Sequence, residues 1–120
     1  MRRDIAFLVD MISACHELQG MVELNSKESV MEDRQLNYAV LFGLTIIGEA
    51  ASRITPELKA LHPEIDWNRA RGMRNRVVHG YFGLDWEIVW GTLVDVLPQL
   101  HEQLKVVHAA ELRREQEQNS

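Results

Sequence analysis

The stretch from Asp33 to Arg53, DRQLNYAVLFGLTIIGEAASR, decides the fold class. Leu36, Val40, Leu44, Ile47, Ala51 and, just beyond, Ile54 recur at spacings of three and four, which places them on one side of an α-helix. Gly43, Gly48, Ala50 and Ala51 are small, so another helix can approach this one closely. The pattern predicts a long helix over this stretch, and its small residues predict tight packing that extends to a second copy of the chain.

The same period continues outward. Ile5, Leu8, Val9 and Ile12 form an amphipathic stripe on a first helix ending near Gly20. Asn25 followed by Glu28 reads as a capping pair for a short second helix. Downstream, Thr55 suits an N-cap and Pro56 the first helical position, where a missing N–H costs nothing. Pro63 closes that short helix. Asp66 caps the next, from Trp67 to about His79, and Gly80 and Gly83 break it. Asp85 caps a last helix carrying Ile88, Val89, Leu93, Val96, Leu100, Leu104 and Val107, with Pro98 inside it as a bend. From Ala109 the chain turns polar and is expected to fray. No stretch alternates with period two for long enough to make a strand. The expectation is an all-α protein, a small up-and-down helical bundle of four to five helices with short connecting helices. It forms one domain over residues 1–108 with a polar tail over 109–120.

Composition narrows the function. At 120 residues, 46% apolar and 26% charged, the chain reads as one ordinary globular domain. A single cysteine, Cys15, excludes an internal disulfide framework and a Cys-rich zinc site, and reads as a buried small apolar residue. The apolar run Ala39–Gly48 is about half the ~20 residues a membrane span needs. Asp4 and Asp10 interrupt the start, which otherwise looks briefly like a signal peptide. The expectation is a cytoplasmic protein with no membrane contact. Thirteen basic and 18 acidic residues leave a net charge of −5, so any contact with nucleic acid requires a local basic site.

One stretch supplies such a site: Gly72–Gly83, GMRNRVVHGYFG. It sets Arg74, Asn75, Arg76, His79 and Tyr81 within eight residues. Arg74 and His79 are five apart, about 140° around a helix, and Arg74 and Tyr81 are seven apart, on one face while a helix persists. Such a set suits cleavage of RNA without metal. A 2′-hydroxyl attacks the neighbouring phosphorus, His79, whose imidazole ordinarily titrates at ~6.5, moves the proton, and Arg74 braces the phosphoryl oxygens. One histidine is a thin acid/base supply, which a symmetric dimer would double. The spacing permits convergence without forcing it. Read from the residues alone, the arginines serve as solvated charges and His79 as a helix C-terminal cap more readily than as a catalytic set.

The array resembles the HepT-like branch of the HEPN superfamily. The likeness rests on Ile46-Ile47-Gly48-Glu49-Ala50-Ala51, His62-Pro63-Glu64-Ile65-Asp66-Trp67, Met73 through Arg76, His79-Gly80-Tyr81-Phe82-Gly83 and Glu87-Ile88-Val89-Trp90. They fall in the same order over roughly Asp4 to Leu104. The resemblance implies a HEPN-like bundle that dimerises with two Arg/His sites facing a shared cleft. It implies the toxin of a toxin–antitoxin pair, a metal-independent endoribonuclease with an Arg-x4-His-x-Tyr motif. Arg74 and His79 would be catalytic, with Asn75 in support and Glu49 orienting Arg74. The partner would be a small MNT-type nucleotidyltransferase antitoxin (MntA-like), which uses ATP to place AMP on Tyr81. No cofactor or metal is implied.

The remaining polar and aromatic residues read more plainly. His101 and His108 share a helix face but lack the carboxylates or thiols of a metal site. His62 reads as a loop residue, and Trp67, Trp86 and Trp90 as core or interface anchors. Two other functions stay open: a non-catalytic nucleotide- or RNA-binding subunit of a nucleotidyltransferase, and a plain helical interaction module.

Overall fold

A computed structural model describes the backbone of residues 2–80 and 83–119, and the side chains of 3–74 and 83–119. The chain runs α1 (Arg2–Leu24), α2 (Lys27–Glu32), α3 (Arg34–Arg53), α4 (Pro56–Leu61), α5 (Trp67–Gly80) and α6 (Trp86–Gly91). A π-helical turn (Thr92–Val96) then leads into α7 (Leu97–Gln118). Among the described residues there is no strand, so the all-α expectation holds. The long helix α1 packs against both α3 and α7, and α5 lies along α3.

Local caps set most boundaries. Asp33 Oδ1 accepts the N–H groups of Gln35 (2.8 Å) and Leu36 (3.1 Å) at the start of α3. Asp66 accepts from Arg69 N–H (3.0 Å), and Asp85 from Glu87 N–H (3.0 Å). Thr55 caps α4 ahead of Pro56, as expected. Asn25 does not cap α2. Ser26 does, accepting from Ser29 N–H at 3.1 Å, while Asn25 Nδ2 donates back to the Met21 carbonyl at 3.0 Å. That backward bond satisfies an end carbonyl of α1, which therefore runs past Gly20 to Leu24.

The core joins Leu8, Met11, Cys15 and Leu18 of α1 to Val40, Leu44, Ile47 and Ala51 of α3 and to Leu97, Leu104 and Val107 of α7. The buried stripe of α1 is rotated from the expected one: Val9 is exposed, while Met11 and Cys15 lie inside. Burial pushes the Cys15 thiol up to about 12, so it stays protonated and inert. Arg3–Leu24 is apolar and long enough to cross a membrane by length and composition alone, a candidate that the shorter run at Ala39–Gly48 hid. Leu8, Met11, Ala14, Cys15 and Leu18 of this helix join the core, while Asp10, His16 and Glu17 show to solvent.

Pro98 does more than bend the last helix. It has no N–H for the Val94 carbonyl, and its ring would crowd that carbonyl. The chain widens beforehand into a π turn, with Leu97 N–H bonded to the Thr92 carbonyl. The expected fraying from Ala109 also gives way, because α7 continues to Gln118. Its anchor is Glu111, buried despite its charge. His62 Nε2–H donates to Glu111 Oε2 at 2.7 Å, and Arg114 Nη1 donates to both carboxylate oxygens at 2.8 and 3.0 Å. His62, expected as a loop residue, thus ties the end of α4 to α7. Asp4 makes a similar tie, accepting from Thr55 N–H (2.9 Å) and the Thr55 hydroxyl (2.7 Å).

Two groups make stability depend on pH. Burial, then the charge of Lys105, holds His101 below the usual histidine range, with Nδ1–H donating to Gln19 Oε1. Burial works to raise Glu111, but the bonds and charges of His62 and Arg114 outweigh it and hold the carboxyl below its usual value. In both cases the unfolded chain takes up the proton first as pH falls. The urea midpoint should therefore drop as pH falls from ~6.5, through the lowered histidine value, and drop again below ~4.3. His101→Gln should flatten the first fall and Glu111→Gln the second. A midpoint insensitive to pH from neutrality to strong acid would contradict the assignment.

Candidate active site

The first nine residues of the Gly72–Gly83 stretch lie on α5, which packs against α3. Four arginines, Arg69, Arg71, Arg74 and Arg76, and no carboxylate occupy the α5 sequence. The chain's net charge of −5 therefore conceals a basic helix. This is the local site that the overall charge requires for any contact with RNA.

Gly48 lets that helix come close. A Cβ added there would stand 2.5 Å from both the backbone N and the Cβ of Arg74, and 3.0 Å from the Arg71 carbonyl oxygen. Gly43 does the same for α1, where an added Cβ would meet the Leu18 side chain at 2.8 to 2.9 Å. Ala50 and Ala51 are buried in the core. The small residues of α3 thus admit the chain's own helices. They do not form a free face for a second copy.

Seating α5 on Gly48 brings Arg74 beside Glu49. Arg74 Nη1 donates to Glu49 Oε1 at 2.9 Å. Arg53, one turn along α3, approaches Glu49 Oε2 at 3.9 Å, a residue absent from the expected set although its i,i+4 spacing from Glu49 is visible in the sequence. One carboxylate is shared by two guanidinium groups, so the cluster keeps a net positive charge. The Arg74 side chain is 37% exposed, and the rest of its fork can meet an anion. Pairs this exposed add little stability.

Asn75 and His79 lie on the α5 backbone, and their side chains are outside the described residues. Tyr81 lies outside them altogether. Of the expected set, the structure brings Arg74 and Glu49 together. Among the described residues, no three or more His, Cys, Asp or Glu gather as a metal cluster would. A cleft of about 160 Å³ between α5 and α7, lined by Arg69, Met73, Val96, Leu100 and Gln103, flanks another side of the helix.

Comparison with known proteins adds an independent line. A family profile described as "Ribonuclease HepT-like" matches residues 11–107. The chain is 34% identical over 94 residues to "Probable ribonuclease HepT" of Thermococcus cleftensis, covering 78% of this chain and 86% of that one. It is 32% identical over 101 residues to a candidate RNase of Caldanaerobacter subterraneus subsp. tengcongensis, covering 84% and 90%. It is 30% identical over 107 residues to a candidate RNase of Methanocaldococcus jannaschii, covering 88% and 92%. No solved structure matches the chain.

The Gly48 contact is testable beside a neighbouring glycine with room to spare. Nothing lies within 4 Å of a Cβ added at Gly72. Gly48→Ala should destabilise by about 1–3 kcal/mol, since backbone must move. Gly72→Ala should stabilise by roughly 0.5–1 kcal/mol through helix propensity. Chemical denaturation of both variants checks the pair, and equal effects of the same sign would refute the packing argument.

Proposed function

This chain belongs to the ribonuclease HepT-like family, and from that premise we propose that it is a metal-independent endoribonuclease, the toxin of a toxin–antitoxin pair. The observation that carries the reading is Arg74, held at one nitrogen by Glu49 and partly exposed on a helix without carboxylates. In the proposed reaction the RNA 2′-hydroxyl attacks the adjacent phosphorus and the bond to the 5′-oxygen breaks, leaving a 2′,3′-cyclic phosphate. Arg74 balances the charge that grows on the phosphoryl oxygens, Asn75 adds a polar contact, and His79 transfers the proton. One proton leaves the 2′-oxygen and another must reach the 5′-oxygen. A homodimer supplies a second His79 for the second transfer.

Control falls to Tyr81, two residues past His79. A nucleotidyltransferase antitoxin joins the α-phosphorus of ATP to the phenol oxygen, pyrophosphate leaves, and the phenol proton is released. The new phosphodiester then occupies Arg74 in place of RNA. Both partners and the RNA belong to the cytoplasm in this reading.

Purified protein should cut an RNA oligonucleotide in excess chelator and leave its all-2′-deoxy counterpart intact. Arg74→Ala and His79→Ala should each lower the rate by roughly 10²–10⁴. A requirement for Mg²⁺ would overturn the mechanism, and binding without cutting would favour a non-catalytic RNA-binding subunit.

A second expectation concerns silencing. After incubation with the antitoxin and ATP, intact mass should rise by one or more AMP units in wild type but not in Tyr81→Phe. Modification that persists in the variant would move the control point elsewhere.

A further inference from the structure

α3 carries two stripes at spacings of three and four. The inner one, with Val40, Leu44, Ile47 and Ala51, is spent on the core. The outer one runs Gln35, Tyr38, Phe42, Ile46, Glu49 and Arg53, and these positions span about 80° of the helix circumference. Its middle is apolar. Phe42 is 68% exposed and Tyr38 48%, while Ile46 is half-buried. Arg34 Nε donates to the Tyr38 hydroxyl at 2.9 Å, and its guanidinium lies 5.5 Å from the ring centre. On α7 the exposed apolar side chains stand apart instead, Val106 and Leu112 lying about 120° around the helix from each other. Two aromatic side chains one turn apart in mid-helix, framed by polar residues, have the make-up of an interface core and its rim.

The charges of the stripe choose its occupant. Glu49 and Arg53 sit at the C-terminal end, while the other end is neutral at Gln35, with Glu32 and Asp33 just beyond. A two-fold axis through Phe42 pairs residues equally distant from it: Phe42 with its copy, Tyr38 with Ile46, Gln35 with Glu49. Arg53 then arrives at the N-terminal end of α3, where Glu32 and Asp33 stand. A parallel pair sets Glu49 against Glu49 and Arg53 against Arg53. The self-complementary order favours a second copy over a strand of RNA, whose phosphates would run over the Glu49 carboxylate. The axis also bears on the candidate site. α1 runs opposite to α3, with Leu18 at Gly43 and Asp4 at Thr55, and opposite to α7, with Gln19 at His101 and Ile5 beside Glu111. α7 runs opposite to α5, since Gln103 Nε2 donates to the Glu64 carbonyl while Met73 shares a cleft with Val96. Hence α5 is antiparallel to α3. From its seat at Gly48 its backbone returns toward the level of Phe42, and position 79 lies about 7.5 Å beyond position 74.

Resting on the ribonuclease reading, which asks for two histidines, we infer that a second copy of the chain docks on the outer stripe of α3, the two α3 helices antiparallel and Phe42 at the two-fold axis. Position 79 of each copy then comes to the level of the axis. Gln35 of one copy meets Glu49 of the other, so each copy adds an amide beside the carboxylate that holds its partner's arginine. The interface is isologous, the same stripe serving both copies.

The test uses the full chain in sedimentation equilibrium, with cutting of RNA in excess chelator read alongside. Wild type should sediment as a dimer. Phe42→Glu should weaken the dimer by about 100-fold or more, since it removes the central aromatic anchor from both copies, and cutting should fall with the dimer fraction. Val106→Glu on α7, as exposed as Phe42, should change neither. Direction is read by oxidative cross-linking, with Cys15 silent in the core. Phe42→Cys should link to its own copy, while Gln35→Cys, about 20 Å from its own copy, should not. A dimer that persists in Phe42→Glu, or one that links through Gln35→Cys, overturns the inference and leaves the ribonuclease reading standing. So does a wild type that cuts RNA as a monomer. Phe42→Glu that stays dimeric and loses only RNA affinity also overturns it, and puts RNA on this face. A dimer that dissociates in Phe42→Glu and links through Phe42→Cys, but never cuts RNA, upholds the interface and overturns the ribonuclease reading.

Discussion

The approach of α5 to α3 at Gly48 is the constraint from which the rest of the site follows. With no side chain at position 48, the Arg74 backbone sits where a Cβ would otherwise stand. That approach lets Ala70 and Met73 of α5 reach the core, and it puts the next residue of α3, Glu49, within hydrogen-bond reach of the Arg74 guanidinium. Packing and chemistry are therefore one contact. A change that moves α5 outward to relieve a clash at position 48 also withdraws Arg74 from the carboxylate that aims it. The energy that fixes Arg74 comes mainly from buried apolar area along the helix, since the exposed ion pair contributes little on its own.

Features governed by neighbours in sequence were legible from the residues. The cap at Asp66, the Thr55-Pro56 start and the cap at Asp85 depend on side chains two or three positions from the amides they bind. The α3 stripe was legible for the same reason, with Val40, Leu44, Ile47, Ala51 and Ile54 all buried. What was not legible depends on partners far along the chain. The polar run after Ala109 looks frayed until His62 is found 49 residues away on Glu111. The first helix offers apolar residues on more than one side, and only the positions of α3 and α7 decide that Met11 and Cys15 go inside while Val9 does not. Small residues announce that something comes close, but not whether it is another chain or, as here, Leu18 and Arg74 of the same one.

Charge shows the same division between what composition states and what arrangement does. A net charge of −5 argues against RNA only if the charges act together over the whole surface. The molecule extends 52 Å along its longest axis, while the screening length in physiological salt is about 8 Å. A phosphate on α5 therefore responds to the cations beside it, and distant carboxylates are screened from it. Many of those carboxylates are also engaged, Glu87 with Lys27, Glu102 with Lys105 and Glu111 with Arg114. Glu49 stands at the arginine cluster, divided between Arg74 and Arg53, and so aims a cation without cancelling the charge around it. Whether an arginine is available to an anion depends on what else it touches. For Arg74 that partner lies 25 residues away on another helix, so the decisive electrostatic fact is tertiary even though every charge in it is written in the sequence.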